Sequence, residues 1–167
     1  VIGVLETAPK VQGVILLDLM NGLPLYLRGE EDPVYLRLQI KVMPQLPAQW
    51  RNSLNRFNCL SVLWTALHLA DEDQRVLISV AQEPEQTMRW FKEALERADW
   101  QGAVGFQPPE GPLRARFDGA RSACLDYCGA ESFELFLLDR GIATSHGQMP
   151  QRLRRLMVDL IDRKICP

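Results

Sequence analysis

The chain has 167 residues, of which 47% are hydrophobic and 24% are charged. This provides enough apolar material for one sizeable core or two small joined lobes, and it excludes a largely disordered chain. The formal net charge is −2, whereas proteins that bind nucleic acid unaided are usually basic. Direct nucleic-acid binding is therefore not expected, and no apolar run approaches the roughly 20 residues that a membrane span requires.

The first part of the chain is predicted to be β-structure. Residues 11–19 are rich in Val, Ile and Leu, the turn-forming pair Asn21-Gly22 follows, and residues 23–27 return as a second strand. Residues 34–42 then alternate between apolar and polar side chains. This alternation predicts a third, half-buried strand.

The middle of the chain is predicted to mix helix and strand. A short helix is expected over residues 49–58, and strands are expected over residues 59–70 and 75–81. The sequence Glu83-Pro84-Glu85 then favours a helix start, because proline fits the first turn and acidic groups interact well with the positive end of the helix dipole. An apolar stripe follows at helical spacing: Met88, Phe91, Ala94, Leu95 and Ala98.

Residues 101–112 contain glycine and proline and are predicted to connect two domains. Beyond this connector the sequence favours short strands and tight turns, with Asp118-Gly119 as a hairpin turn. Three strands are predicted there, over residues 113–117, 120–127 and 132–138. The predicted fold class is therefore α+β and mainly β, with a small antiparallel barrel at the end of the chain.

Three motifs in the last third resemble a Tudor domain. Leu113-Arg-Ala-Arg-Phe117 with the following Asp118-Gly119 resembles the first hairpin of that barrel. The segment from Phe133 to Gly141 resembles its third strand and turn, and Leu153-Arg-Arg-Leu156 resembles its tail. The resemblance implies an extended Tudor domain of the germline piRNA pathway.

The resemblance also implies a domain order. A nuclease-like lobe with the oligonucleotide-binding fold and one prominent helix is expected over residues 1–100. The connector then covers residues 101–112, and the Tudor-like barrel covers residues 113–167.

Tudor barrels that read methylarginine hold the cation between aromatic rings. The positions of this chain that the resemblance equates with the cage carry no ring: Ala120, Arg121, Leu137, Arg140 and Ile142. Arg140 would repel a guanidinium and could instead pair with a partner carboxylate. The resemblance therefore implies a site for an unmethylated peptide or partner surface, and the alternative is that the barrel only packs against the upstream lobe.

The function that the resemblance implies is a non-catalytic protein–protein interaction module or scaffold in a cytoplasmic RNA-silencing granule, with a PIWI-family protein or another granule component as partner. Two other interpretations remain open. The strand, Asn-Gly-Leu-Pro, strand pattern resembles longin or roadblock platforms for small GTPase or trafficking complexes, which require a sheet over residues 11–81 and a helix over residues 152–161. The helix, strand pair and helix over residues 49–100 resemble bacterial secretion chaperones.

No catalytic or metal-binding pattern stands out in the sequence. His68 lies in an apolar segment, and His146 follows Ser145, but neighbours in sequence do not make a catalytic triad. Cys124 and Cys128 are four residues apart without the second pair that a zinc site usually requires. An enzyme, a cofactor and a metal are therefore not expected, and the four cysteines are expected to be reduced thiols.

Overall fold

The computed structural model divides the chain into two units, Val1–Met43 and Pro44–Pro167. It describes the backbone of residues 14–18, 23–27 and 36–37, and both backbone and side chains of residues 41–70 and 75–167. The predicted connector over residues 101–112 lies inside the second unit.

The first unit contains a three-stranded antiparallel sheet in the order β1-β2-β3. Its strands are β1 Val14–Asp18, β2 Leu23–Leu27 and β3 Leu36–Arg37. In the pairing of β1 with β2, Leu16 lies opposite Leu25. The predicted hairpin is therefore confirmed, while its turn at Asn21-Gly22 lies outside the described residues.

The second unit is helical: in residues 44–70 and 75–167 the structure describes seven helices and no strand. They are α1 Ala48–Arg51, α2 Leu54–Leu69, α3 Pro84–Leu95, α4 Ala98–Gln101, α5 Pro112–Cys128, α6 Phe133–Leu138 and α7 Gln151–Asp162. Helix α3 packs against α2 and α6, and α5 packs against α6 and α7. None of the described helices is long and apolar enough to cross a bilayer.

The predicted barrel over residues 113–167 is wrong. Helix α5 runs through two of its predicted strands and through the predicted hairpin turn at Asp118-Gly119. Phe117, Ala120 and Cys124 are buried at helical spacing, so a helix places all three in the core. Arg114 also pairs with Asp118 one turn later, at 2.9 Å between Nε and Oδ1, which supports the helix. The stabilisation gained by burying side chains at a helical period of 3.6 residues outweighs the local preference of Asp118-Gly119 for a turn.

The other strands predicted in the second unit also require correction. Residues 59–69 lie in α2 and residues 133–138 form α6, while residues 75–80 form neither a helix nor a strand. In α2 the apolar residues lie around most of the helix, so periodicity could not separate a buried helix from a buried strand. The mainly-β fold class and the nuclease-like lobe are therefore overturned for this part of the chain.

The structure also bears on the two other interpretations. A helix over residues 152–161 is present as α7, as the longin or roadblock interpretation requires. The sheet that it requires up to residue 81 is absent from residues 44–70 and 75–81. The strand pair of the secretion-chaperone interpretation is absent from the same described residues.

Helix α3 confirms the helix predicted from Glu83-Pro84-Glu85. The Glu83 carboxylate accepts the backbone N–H of Gln86 at 2.9 Å and that of Glu85 at 3.3 Å, so the first turn is capped. Four residues of the predicted stripe are buried: Met88, Phe91, Ala94 and Leu95. The fifth, Ala98, is exposed at the start of α4.

Two sets of buried side chains hold the helices together. Trp64 of α2 and Trp100 of α4 meet edge to face with ring centroids 4.9 Å apart. The second set joins α5, α6 and α7 and includes Phe117, Leu138 and Leu153. Burying each of these large side chains contributes roughly 1.5–3 kcal/mol. The second set fixes the helices that carry the candidate site.

Candidate functional site

A cleft of about 270 Å³ opens between α3, α5 and α6. Of the residues that the structure describes, three cationic side chains line it: Lys92 of α3, Arg121 of α5, and Arg140 just after α6. Two carboxylates, Asp139 and Glu131, also line it, so the cations exceed the carboxylates by one. We refer to this site as the cationic cleft. Its charge favours an anionic ligand.

The Phe136 ring holds two of these cations. The guanidinium carbon of Arg140 lies 3.5 Å from the ring centroid, and the Lys92 ammonium lies 5.2 Å from it. Both distances are within the range of a cation–π interaction. Arg140 Nη1 also donates to the Phe136 carbonyl at 2.9 Å. Its Nε and Nη2 groups make no hydrogen bond to any described residue, so this edge of the guanidinium remains available to a ligand.

Arg121 is held differently, by two hydrogen bonds to Asp139. Its Nε lies 2.6 Å from Oδ1, and its Nη2 lies 3.0 Å from Oδ2. These hydrogen bonds, with the charge of Asp139 next in importance, raise the pKa of Arg121 above its ordinary value. Because both side chains are more than a third exposed, the pair contributes at most about 1 kcal/mol to stability. Its main effect is to fix Arg121 beside the end of α6.

Among the described residues, the carboxylate partner of Lys92 is a weak one. Its ammonium lies 3.9 Å from Glu96 one turn later, at the outer limit of an ion pair. The same ammonium lies 5.9 Å from the centroid of the Phe133 ring. A stronger acceptor in the cleft could therefore compete for this ammonium.

A second cleft, of about 260 Å³, lies beside the first. Glu85, Glu131, Glu134 and His146 line it, and we refer to it as the acidic cleft. His146 Nε2 lies 3.1 Å from Glu134 Oε1, and the two side chains are only 11% and 14% exposed. Glu85 pairs with Arg89 at 2.8 Å. The Glu131 carboxylate makes no hydrogen bond or ion pair within the described ranges 41–70 and 75–167.

The structure brings only two of the five predicted site residues to one cleft. Arg121 and Arg140 line the cationic cleft. Ala120 and Leu137 are 1% and 0% exposed in the core, and Ile142 is half-buried in the turn after α6. The barrel mouth on which the five positions were placed is replaced by helices, so these residues do not form one rim.

The sequence prediction missed Lys92, Phe136 and Asp139 as cleft residues. Phe136 and Arg140 are four residues apart. This spacing places two side chains on one face of a helix and also on one face of a strand, so it does not distinguish the two structures. Only Asp139 distinguishes the two cases, because it shares the face of Phe136 in a helix and not in a strand. Assigning α6 as a helix would have grouped Phe136, Asp139 and Arg140, whereas no local pattern connects Lys92 with them.

The cysteines are poor nucleophiles in this fold. Burial is the main cause that raises the pKa of Cys124 and of Cys166 to about 12 in each case. Burial also raises the pKa of Cys59 and of Cys128 above its ordinary value. All four cysteines are free thiols. Among the described residues, no group of three or more potential ligands is placed to hold a metal ion.

Comparison with known proteins identifies no relative. No protein-family profile matches the chain, and no curated protein and no solved structure matches it. Inference of function therefore rests on the geometry of the two clefts.

Proposed function

We propose that this protein is a non-catalytic protein-interaction module that binds an unmethylated, carboxylate-bearing peptide segment in its cationic cleft. The observation that carries the proposal is the Arg140 guanidinium, which Phe136 holds by its ring and by its carbonyl. Lys92 and Arg121 line the same cleft. Three cations from separate parts of the fold thus surround one small volume.

The geometry of Arg140 suits a carboxylate. A guanidinium donates two parallel N–H bonds to one carboxylate group, and such charge-assisted bonds are about twice as strong as neutral ones. Stacking on Phe136 already restricts the side chain, so less rotamer entropy is lost when a ligand binds. The ammonium of Lys92 is a second donor for the same anion.

Other ligand classes fit the cleft less well. A methylated arginine would bring a cation into a site whose cations outnumber its carboxylates by one. A nucleic-acid backbone requires an extended basic surface, whereas the chain has a net charge of −2. Catalysis is not part of the proposal, since the buried thiols remain protonated at neutral pH.

We propose only the chemistry of the partner, which is a segment that bears a carboxylate. An RNA-silencing granule and a PIWI-family partner were implied only by the Tudor resemblance, and the barrel behind that resemblance is replaced by helices. A reducing compartment such as the cytoplasm fits the four free thiols and is part of the proposal.

The proposal is tested by titrating the protein with short capped peptides that carry glutamate in a serine and glycine background. We expect the acidic peptide to bind, the serine-only peptide not to bind, and the affinity to fall with added salt. Arg140→Ala should weaken binding at least about tenfold, since a charged hydrogen bond contributes roughly 1.5–3 kcal/mol.

The matched control is Arg114→Ala. Arg114 is an exposed arginine that pairs with Asp118, and it does not line the cleft. This variant should bind the acidic peptide like the original chain. Equal binding of the acidic and serine peptides, or unchanged binding by Arg140→Ala, would contradict the proposal.

A further inference from the structure

The cationic and acidic clefts follow one another along a single helix. Glu85 and Met88 line the acidic cleft, and Lys92 lines the cationic cleft. The three residues are spaced i, i+3 and i+7 on α3, so they lie on one face of that helix. Glu131 and Ser132 line both clefts and mark where the two meet. The sign of the surface charge therefore reverses along one continuous surface.

From this arrangement we infer that the partner segment carries two opposite charges: an acidic side chain for the cationic cleft and a lysine or arginine for the acidic cleft. The inference rests on the proposed function, because it takes the cationic cleft as the first contact. It assigns the second cleft to the same peptide. An internal acidic side chain is chosen over a free C-terminus because the peptide has to continue into the next cleft.

The acidic cleft offers suitable groups for a basic side chain. Glu131 is the acceptor, because its carboxylate has no partner in the described part of the chain. Met88 and Phe133 line the same cleft and provide apolar surface for the long methylene stem of a lysine or arginine. Glu85 and Glu134 add negative charge, although each already pairs with a cation or with His146.

The length of α3 sets the spacing of the two charges in the peptide. Seven residues separate Glu85 from Lys92, which at a helical rise of 1.5 Å corresponds to about 10 Å. An extended peptide advances about 3.3 Å per residue and points alternate side chains to opposite sides, so the acidic and basic residues should be two or four positions apart to face the same surface. The charges of the clefts do not fix the direction of the peptide, so both orders require testing.

The experiment compares short peptides with capped ends, which removes terminal charges. One peptide carries glutamate only, one carries lysine only, and four carry both residues, two or four positions apart and in both orders. We expect at least one of the mixed peptides to bind about two- to fivefold more tightly than the glutamate-only peptide, as an added exposed ion pair allows. The lysine-only peptide should bind more weakly than that mixed peptide.

Glu131→Gln supplies the sharper test. It should abolish the gain of the mixed peptide and raise the affinity for the glutamate-only peptide, since a carboxylate is removed from the cationic cleft. Glu110→Gln is the matched control, because Glu110 is an exposed glutamate that lines neither cleft. It should leave all affinities unchanged.

The possible failures are distinguishable. If all glutamate peptides bind equally and Arg140→Ala weakens them all, the two-charge inference is wrong and the proposed function stands. A gain that survives in Glu131→Gln also overturns the inference. If no glutamate peptide binds, both the inference and the proposed function are wrong.

Discussion

The guanidinium carbon of Arg140 lies 3.5 Å from the centre of the Phe136 ring, and Nη1 of Arg140 donates to the carbonyl oxygen of the same phenylalanine. Phe136 thus positions Arg140 through both its side chain and its backbone. The ring attracts the cation through its quadrupole, while the hydrogen bond fixes one edge of the guanidinium. Through this pair, a residue of α6 determines how the Arg140 guanidinium is held in the cationic cleft.

Phe136→Leu should weaken acidic-peptide binding without unfolding the protein. Leucine keeps an apolar side chain but has no quadrupole, so about 0.5–1 kcal/mol is lost, which corresponds to roughly a two- to fivefold drop in affinity. Titration with the glutamate peptide measures the drop, and a thermal melt confirms the fold. An unchanged affinity would mean that the ring does not position Arg140.

Leu137→Asp should unfold or strongly destabilise the protein instead of acting on a binding surface. Leu137 is fully buried, and an unpaired carboxylate there costs several kcal/mol. Circular dichroism during urea unfolding measures the loss, with the exposed Arg121→Ala as the control that should change stability by less than about 1 kcal/mol. A stable, folded Leu137→Asp protein that no longer binds the peptide would instead mean that Leu137 lies on the peptide-contact surface.

Gly141→Ala should destabilise the turn that follows Arg140. Gly141 has a φ of +77°, and a Cβ there would lie 2.5 Å from the Phe106 ring. Both the backbone conformation and the steric contact oppose any side chain, with an expected loss of about 1–3 kcal/mol. Urea unfolding measures this loss.

Gly119→Ala is the opposite case and serves as the control for Gly141→Ala. A Cβ at Gly119 meets nothing within 4 Å, and the residue lies inside α5. Alanine should therefore stabilise the protein by up to about 1 kcal/mol. Equal effects of the two substitutions would contradict the described geometry of the turn.

Alkaline pH should destabilise the protein through its buried thiols. The pKa of Cys124 and of Cys166 is about 12 in the folded chain, against an ordinary value of 9.0. Below pH 9 both states keep the thiol proton, so the contribution is fully present. Between about pH 9 and pH 12 only the unfolded chain loses the proton, so the free energy of unfolding falls as pH rises.

The double variant Cys124→Ala, Cys166→Ala isolates this effect from other groups that titrate at alkaline pH. Urea unfolding at about pH 8 and about pH 10.5 should show a smaller loss of stability for the variant than for the original chain. Equal losses would mean that the thiols are accessible in the folded state.

Helix α3 shows what could be predicted from sequence. Its start at Glu83 and its apolar stripe act within a few residues of each other, so the local pattern decides the structure. The β1-β2 hairpin belongs to the same class, since a strong turn pair separates two apolar runs. In both cases the local signals decide the element, and the prediction was confirmed.

Helices α5 and α6 show what could not be predicted. The Asp118-Gly119 pair is a strong turn signal, yet the core that α5 forms with α6 and α7 requires a continuous helix. That core forms only when the three helices pack together, so no single local segment of the sequence reveals it. The cationic cleft depends on it as well, because Lys92 is distant in sequence from Arg121 and Arg140. Two of its three cations were nevertheless among the predicted positions.

The positions of the tryptophans, which include the Trp64–Trp100 pair of the core, have a spectroscopic consequence. All four tryptophans of the chain lie in α1 to α4: Trp50, Trp64, Trp90 and Trp100. Indole emission therefore reports on that half of the helical unit, while far-ultraviolet ellipticity also reports on α5 to α7. Denaturation curves from the two signals would coincide if the halves melt as one cooperative body and separate if they do not.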